Sequence, residues 1–145
     1  MNWMRWVLIA AGCYNLAWAM FSAAAPNLVF EWSGWPVPNY PQIWQGMGMV
    51  IGVFGIAYLC ASLDPLRHWP VLVAGLISKV LGVCGAVYNS ATGALPWSFA
   101  LLSIPNDLIW WIPFGTILWR AWQQERLSDQ DSWPFDRQDH LPHKE

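Results

Sequence analysis

Two ionisable side chains, Lys79 and Asp107, lie inside long apolar runs of the sequence. Charged groups are rare at such positions and are commonly functional. An amine and a carboxylate there can hold each other as an ion pair, or they can act as acid and base toward a bound substrate. Asn106 precedes Asp107 directly, and Trp110 follows it by one helical turn. These four residues are candidate ligand-binding groups, and Asp107 and Lys79 are also the candidates for catalysis.

Three further polar side chains are candidate ligand-binding groups. Asn15 lies in the first apolar run, Gln45 lies near the start of the second, and Glu31 lies in the connection between them. Glu31 is the one charged residue in a stretch that four prolines interrupt, so residues 25–41 are not expected to form a regular helix. This aromatic and proline-rich stretch is expected to form an ordered cap over the bundle or a lid that controls entry.

Four apolar runs must position these residues. At about 1.5 Å per residue, each is long enough to cross a hydrocarbon core of about 30 Å. The composition agrees, with 56% hydrophobic and 11% charged residues, against roughly 25% charged in soluble domains. We therefore predict an all-α polytopic membrane protein whose single domain, residues 1–122, is a four-transmembrane-helix bundle. Its helices are predicted at about 3–24, 42–62, 70–92 and 97–122, followed by a polar, mostly disordered cytoplasmic tail at 123–145.

The depths of the two charges within their runs predict that they pair. Lys79 lies nine residues from Pro70, or about 13.5 Å into the membrane. Asp107 lies at about 15–16 Å from the opposite end of the fourth run, so both are close to the midplane. An isolated charge there costs about 2.5–3.5 kcal/mol on insertion scales. Pro105 and Pro113 each remove a backbone donor, so we expect the fourth helix to bend around Asp107.

The distribution of positive charge predicts the orientation. The connections at 25–41 and 93–97 contain no Lys or Arg. Arginines occur at the opposite ends of the runs, at Arg5, Arg67, Arg120 and Arg126. The positive-inside rule therefore predicts cytoplasmic termini and a location in the cell inner (plasma) membrane. The thirteen tryptophans, many of them at run ends, agree with positions at the membrane interface.

Several other kinds of site are not indicated. Cys13, Cys60 and Cys84 are isolated, so neither a metal site nor a disulfide framework is expected, and no cofactor is predicted. The net charge of −2, without a cluster of Lys and Arg, gives no reason to expect nucleic-acid binding. Gly48 and Gly52 have the GxxxG spacing, which serves either helix packing within the chain or a homo-oligomer.

The chain from Pro38 to Phe114 resembles a group of small uncharacterised bacterial four-helix integral membrane proteins. The resemblance lies in the segments PNYPQIWQGMGMVIGVFGIAY, DPLRHWP, SKVLGVCGAVY and PNDLIWWIPF. Some members carry the label alkyl hydroperoxide reductase, but the three cysteines here are predicted inside apolar helices, without the activated thiolate setting of that chemistry. The chain is also similar to DoxX-like proteins in size and helix number. The resemblance implies a four-helix fold and assigns no catalytic residue.

Three functions fit these observations. The first is binding of a lipophilic small molecule, or a role as an accessory subunit of a membrane partner, around a polar centre of Lys79 and Asp107. The second is a membrane enzyme for a lipophilic substrate, with Asp107 as acid or base and Lys79 as its charge partner or proton donor. The third is a small proton-coupled transporter, although the chain shows no internal inverted repeat. Because no recognised nucleophile arrangement is present, the sequence favours binding over catalysis.

Overall fold

The computed structural model describes residues 2–131, which form a bundle of helices and their connections. The elements are α1 (Asn2–Ala24), α2 (Leu28–Ser33), α3 (Pro41–Ala61), α4 (Trp69–Ala91), α5 (Trp97–Ser103), a π-helical turn (Ile104–Leu108) and α6 (Ile109–Asp131). Four helical stretches are long and apolar enough to cross a membrane: α1, α3, α4 and Trp97–Ser128. The predicted all-α architecture with four spans is confirmed. The first three runs begin and end within about one residue of the predicted positions.

The fourth span is interrupted near its middle and continues further than predicted. Pro105 lies in the π-helical turn, where its missing N–H and its ring prevent a regular α-helical ladder. A π-helical turn thus contains Asp107, around which a bend was predicted, while Pro113 lies inside α6. Helix α6 continues to Asp131, past the predicted end of the bundle at 122. Residues 132–145, most of the predicted tail, lie outside the described residues.

The connection between α1 and α3 contains a short helix, α2, of six residues. No regular helix runs through the stretch, as predicted, because its prolines lie on either side of α2, with Pro26 before it and Pro36 after it. Gly34 ends the helix with a φ of 68°, a left-handed conformation that glycine adopts without strain. The prolines therefore limit the length of the helix without preventing it.

Helices α1 and α3 pack closely as a hairpin through small residues. A Cβ added at Gly48 would lie 2.5 Å from the Cβ of Ser22, and one added at Gly52 would lie 2.8 Å from the Cβ of Ala19. Both glycines are buried, so their spacing serves packing within the chain. A homo-oligomer formed through the same two glycines would require α1 to move away from them.

Helix α4 packs against α5, the π-helical turn and α6 to form the second hairpin. The two hairpins share a hydrophobic core in the half of the bundle that contains the start of α1 and the connection 62–68, here called the lower half. The buried residues of that core are Met4, Leu8, Ala11, Tyr58, Ala61, Leu72, Phe114 and Ile117. The connections 25–40 and 92–96 belong to the opposite, upper half, where a cavity separates the hairpins.

Candidate ligand-binding cavity

A cavity of about 330 Å³ lies between the two hairpins. Side chains from α1, α3, α4, α5 and the π-helical turn line it. The large apolar and aromatic ones are Trp18, Trp44, Met47, Val50, Ile51, Phe54, Phe99 and Leu102, and the hydroxyl groups of Ser22, Ser78 and Ser103 also belong to the lining. Polar groups from four elements converge on its lower end: Asn15, Tyr58, Lys79, Asn106 and Asp107. An apolar concave site with a few convergent polar groups is the usual form of a small-molecule site.

Lys79 and Asp107 meet at the lower end of this cavity. The Lys79 Nζ lies 3.5 Å from Asp107 Oδ1, and the two side chains are 7% and 20% exposed. The predicted pairing is confirmed, because the two residues lie at the same depth on helices of one hairpin. Lys79 shares a buried face of α4 with Gly75 and Ala86.

The π-helical turn supplies a second acceptor for Lys79. Its Nζ donates a hydrogen bond of 2.6 Å to the backbone carbonyl oxygen of Asn106. This contact is shorter than the contact with the carboxylate, so an uncharged acceptor holds the ammonium group most closely. A backbone carbonyl in the membrane interior needs a donor, and the interrupted ladder around Pro105 makes this part of the helix a suitable acceptor.

Tyr14 completes the polar centre from α1. Its hydroxyl donates a hydrogen bond of 2.6 Å to Asn106 Oδ1, and its ring centroid lies 6.1 Å from that of Trp110. The bond links the first hairpin to the second and fixes the orientation of the Asn106 side chain. Tyr14 was not among the predicted site residues. The available signal was a tyrosine in an apolar run, whose hydroxyl needs a partner when buried, but the sequence does not say which helix supplies it.

Two of the remaining predicted residues belong to the centre or its surroundings. Asn15 is 4% exposed and lines the cavity beside the ion pair. Trp110 lies behind the cavity lining, between the rings of Tyr14 and Phe114. Its indole N–H is buried and has no hydrogen-bond partner among the described residues.

The structure does not bring Gln45 and Glu31 to the polar centre. The Gln45 Nε2 donates a hydrogen bond of 2.9 Å to the carbonyl oxygen of Ala23, which ties the upper ends of α1 and α3 together. Glu31 is exposed on α2. Both residues belong to the upper half, whereas the ion pair marks the lower end of the cavity.

A chain of aromatic rings crosses the upper end of the cavity from one hairpin to the other. The Trp35 Nε1 donates a hydrogen bond of 2.8 Å to Ser98 Oγ, and the Trp35 ring centroid lies 5.3 Å from that of Phe99. Phe30 lies 6.3 Å from Trp35 and 5.0 Å from Trp44, edge to face in both pairs. We call Phe30, Trp35, Trp44 and Phe99 the aromatic bridge. Trp44 and Phe99 also line the cavity.

The cysteines take no part in this site. Cys13, Cys60 and Cys84 are exposed, lie on three different helices and are absent from the cavity lining. All three lie within apolar helices, as predicted, but their side chains are exposed. Positions on the outside of an apolar bundle are compatible with cysteine because its thiol behaves as a small apolar group.

The chain matches no protein-family model, no curated protein and no solved structure. What supports a function is therefore the geometry of the cavity. It combines an apolar volume between two hairpins, a paired lysine and aspartate at the lower end, and the aromatic bridge at the upper end.

Proposed function

We propose that the protein is a multi-pass membrane protein that binds a lipophilic small molecule between its two hairpins. The observation that carries the proposal is the cavity of about 330 Å³. Protein interiors normally contain few voids larger than a water molecule, and ligand pockets begin at about 300 Å³. At about 30 Å³ per water-sized group, the cavity accommodates roughly eleven such groups.

The walls of the cavity favour a ligand that arrives from the membrane. Met47 and Val50 line the cavity and are also 54% and 59% exposed, so the cavity reaches the outer surface of the bundle. In a bilayer this surface faces hydrocarbon, from which an apolar molecule can enter without crossing water. The apolar walls then bind the body of the ligand, and the polar lower end orients it.

The ligand can be tested by native mass spectrometry of protein purified in a mild detergent. We expect the wild-type protein to retain a small-molecule adduct. Ala86→Phe, at a buried position in the cavity lining, should lose the adduct because the ring occupies its space. Ala74→Phe, at an exposed position on the same helix, is the matched control and should retain it. Wild-type protein without an adduct, or equal adducts in both variants, would contradict the proposal.

A membrane enzyme is the second candidate function, because the side chains of Lys79 and Asp107 both line the cavity in which a substrate would bind. In this case Asp107 acts as acid or base, and Lys79 acts as its charge partner. The same mass spectra separate the two functions. An enzyme should hold its product in the wild-type protein and a molecule of different mass, the substrate, in Asp107→Asn. A binding protein should hold the same molecule in both.

We further propose that both termini lie in the cytoplasm and that the membrane is the cell inner (plasma) membrane. The support is the charge distribution, since the lower ends of the spans carry Arg5, Arg67, Arg120 and Arg126, while the upper connections carry no Lys or Arg. Fusions of a green fluorescent protein and of alkaline phosphatase to the C-terminus test the orientation in a bacterial host. We expect fluorescence without phosphatase activity. Phosphatase activity without fluorescence would place the C-terminus on the other side of the membrane and contradict the proposed orientation.

A further inference from the structure

We infer that the ligand is uncharged, with a single apolar chain of about ten carbon atoms and a polar end that both donates and accepts hydrogen bonds. A hydroxyl group or a primary amide meets this description. The inference rests on the proposed function and deepens it by naming the chemical class of the ligand.

The first reason is the charge balance of the cavity. Within the described part of the chain, Lys79 and Asp107 are the charged residues of the lining, and they contact each other at 3.5 Å. A ligand carboxylate or ammonium would have to separate this pair or remain without a counter-charge. An unpaired charge in the membrane interior is unfavourable enough to weaken binding by about a hundredfold. The pair therefore selects against a charged head group of either sign.

The second reason is the hydrogen-bonding capacity that the pair leaves unused. An ammonium group has three N–H donors. One donates to the carbonyl oxygen of Asn106 at 2.6 Å and a second faces Asp107 Oδ1 at 3.5 Å, so one remains for a ligand. Asp107 Oδ2 takes part in neither contact, and a Cβ added at Gly82 would lie only 3.1 Å from it. The absence of a side chain at Gly82 therefore leaves space beside a free acceptor.

A hydroxyl group fits this pair of positions. Its oxygen accepts from Lys79, and its hydrogen is donated to Asp107 Oδ2, so neither buried group loses its existing partner. A primary amide does the same with its carbonyl oxygen and its N–H₂ group. A hydrocarbon without a polar end would leave the third N–H donor of Lys79 and the acceptor Asp107 Oδ2 without partners. Such a ligand should therefore bind more weakly than the alcohol.

The apolar walls determine the rest of the ligand. Above the ion pair the lining is mainly aromatic and aliphatic as far as Trp44 and Phe99, at the aromatic bridge, with the hydroxyl groups of Ser22 and Ser103 between them. A volume of about 330 Å³ holds one medium-length chain with its head group, at about 30 Å³ per water-sized group. The two long chains of a phospholipid would have to extend out of the cavity.

The test compares five molecules with the same chain length: 1-decanol, decanamide, decanoate, decylammonium and decane. Each is titrated into the full-length protein in nanodiscs and its occupancy is measured by native mass spectrometry, with uptake by empty nanodiscs subtracted. We expect 1-decanol and decanamide to bind at least tenfold more tightly than the two ions, with decane also weaker than 1-decanol. Decanoate or decylammonium binding as tightly as 1-decanol would overturn the inference but leave the proposed function intact. Failure of all five to bind would overturn the proposed function itself.

Two glycines of α4 provide matched variants for the contact with Asp107. Gly82→Ala introduces a methyl group beside Oδ2, whereas the same change at Gly85 meets nothing within 4 Å. We expect Gly82→Ala to weaken 1-decanol binding about tenfold and Gly85→Ala to leave it unchanged. Unchanged binding in Gly82→Ala, or equal losses in both variants, would refute the placement of the head group at Asp107.

Discussion

Removal of both members of the ion pair should destabilise the protein by less than the sum of the losses caused by removing each member alone. The proposed changes are Lys79→Met and Asp107→Asn, which keep the approximate size of each side chain. At 3.5 Å, the Coulomb attraction is about 5 kcal/mol with an effective dielectric constant of about 20. Desolvation offsets much of this attraction, so the intact pair adds little net stability. Loss of one partner, in contrast, leaves a buried charge uncompensated, which typically costs about 3–5 kcal/mol.

We therefore expect each single variant to lose about 3 kcal/mol of unfolding free energy. The double variant should also lose about 3 kcal/mol, rather than the sum of the two, because both charges are gone and the carbonyl oxygen of Asn106 still lacks its donor. The coupling energy is then about 3 kcal/mol, at the upper end of the range for residues in contact.

The assay is equilibrium unfolding by sodium dodecyl sulfate from mixed micelles, with helix content as the signal. Arg67→Met is the control, since it removes a positive charge from an exposed connection and should change stability by less than about 0.5 kcal/mol. Losses for the two single variants that add within about 0.5 kcal/mol in the double variant would refute the coupling.

Three further predictions concern the packing around the cavity. Tyr14→Phe removes the hydrogen bond to the π-helical turn and should cost about 1 kcal/mol in the same unfolding assay; Tyr40→Phe, on an exposed ring, should cost nothing, and equal effects would contradict the role of the bond. Gly48→Ala should cost about 1–3 kcal/mol because its Cβ would lie 2.5 Å from a side chain of α1, whereas Gly46→Ala meets nothing within 4 Å and should cost nothing. Trp35→Phe removes the hydrogen bond across the aromatic bridge and should speed hydrogen–deuterium exchange in the connection between α1 and α3; unchanged exchange would show that the bond does not hold this connection.

The spans and the ion pair could be predicted because they depend on distances along the chain. The rise per residue of a membrane-spanning helix is fixed, so the position of a residue along an apolar run gives its depth in the membrane. Lys79 and Asp107 lie on helices joined by a short connection, so equal depth was sufficient to predict their contact.

The lateral arrangement of the helices could not be predicted in the same way. The GxxxG spacing of Gly48 and Gly52 indicated a close approach, but it did not identify α1 as the helix that approaches. The partnership of Tyr14 with Asn106 depends on the same arrangement, because the two residues come from different hairpins. The cavity is still harder to predict from the sequence, because it is a volume that side chains of several helices leave unfilled.

The connection between α1 and α3 was the least predictable part of the described chain. Its prolines suggested an irregular cap, yet they leave room for α2 between them. The path of this connection places Glu31 at an exposed position and brings Trp35 to Ser98 on the other hairpin. No local pattern specifies that contact, because Trp35 and Ser98 are far apart in the sequence and meet only after the spans have packed.

The two hairpins are held together less strongly at the upper end, by the aromatic bridge, than at the lower end. Below, the hairpins are joined by the buried side chains of a continuous core. Above, they are joined by the Trp35–Ser98 hydrogen bond and a ring contact, worth about 1 kcal/mol and about 0.5–1.5 kcal/mol respectively. Spreading the upper ends by thermal fluctuation therefore demands roughly 2 kcal/mol, while the core stays closed. The upper ends of the two hairpins can therefore separate while the core and the four spans stay folded.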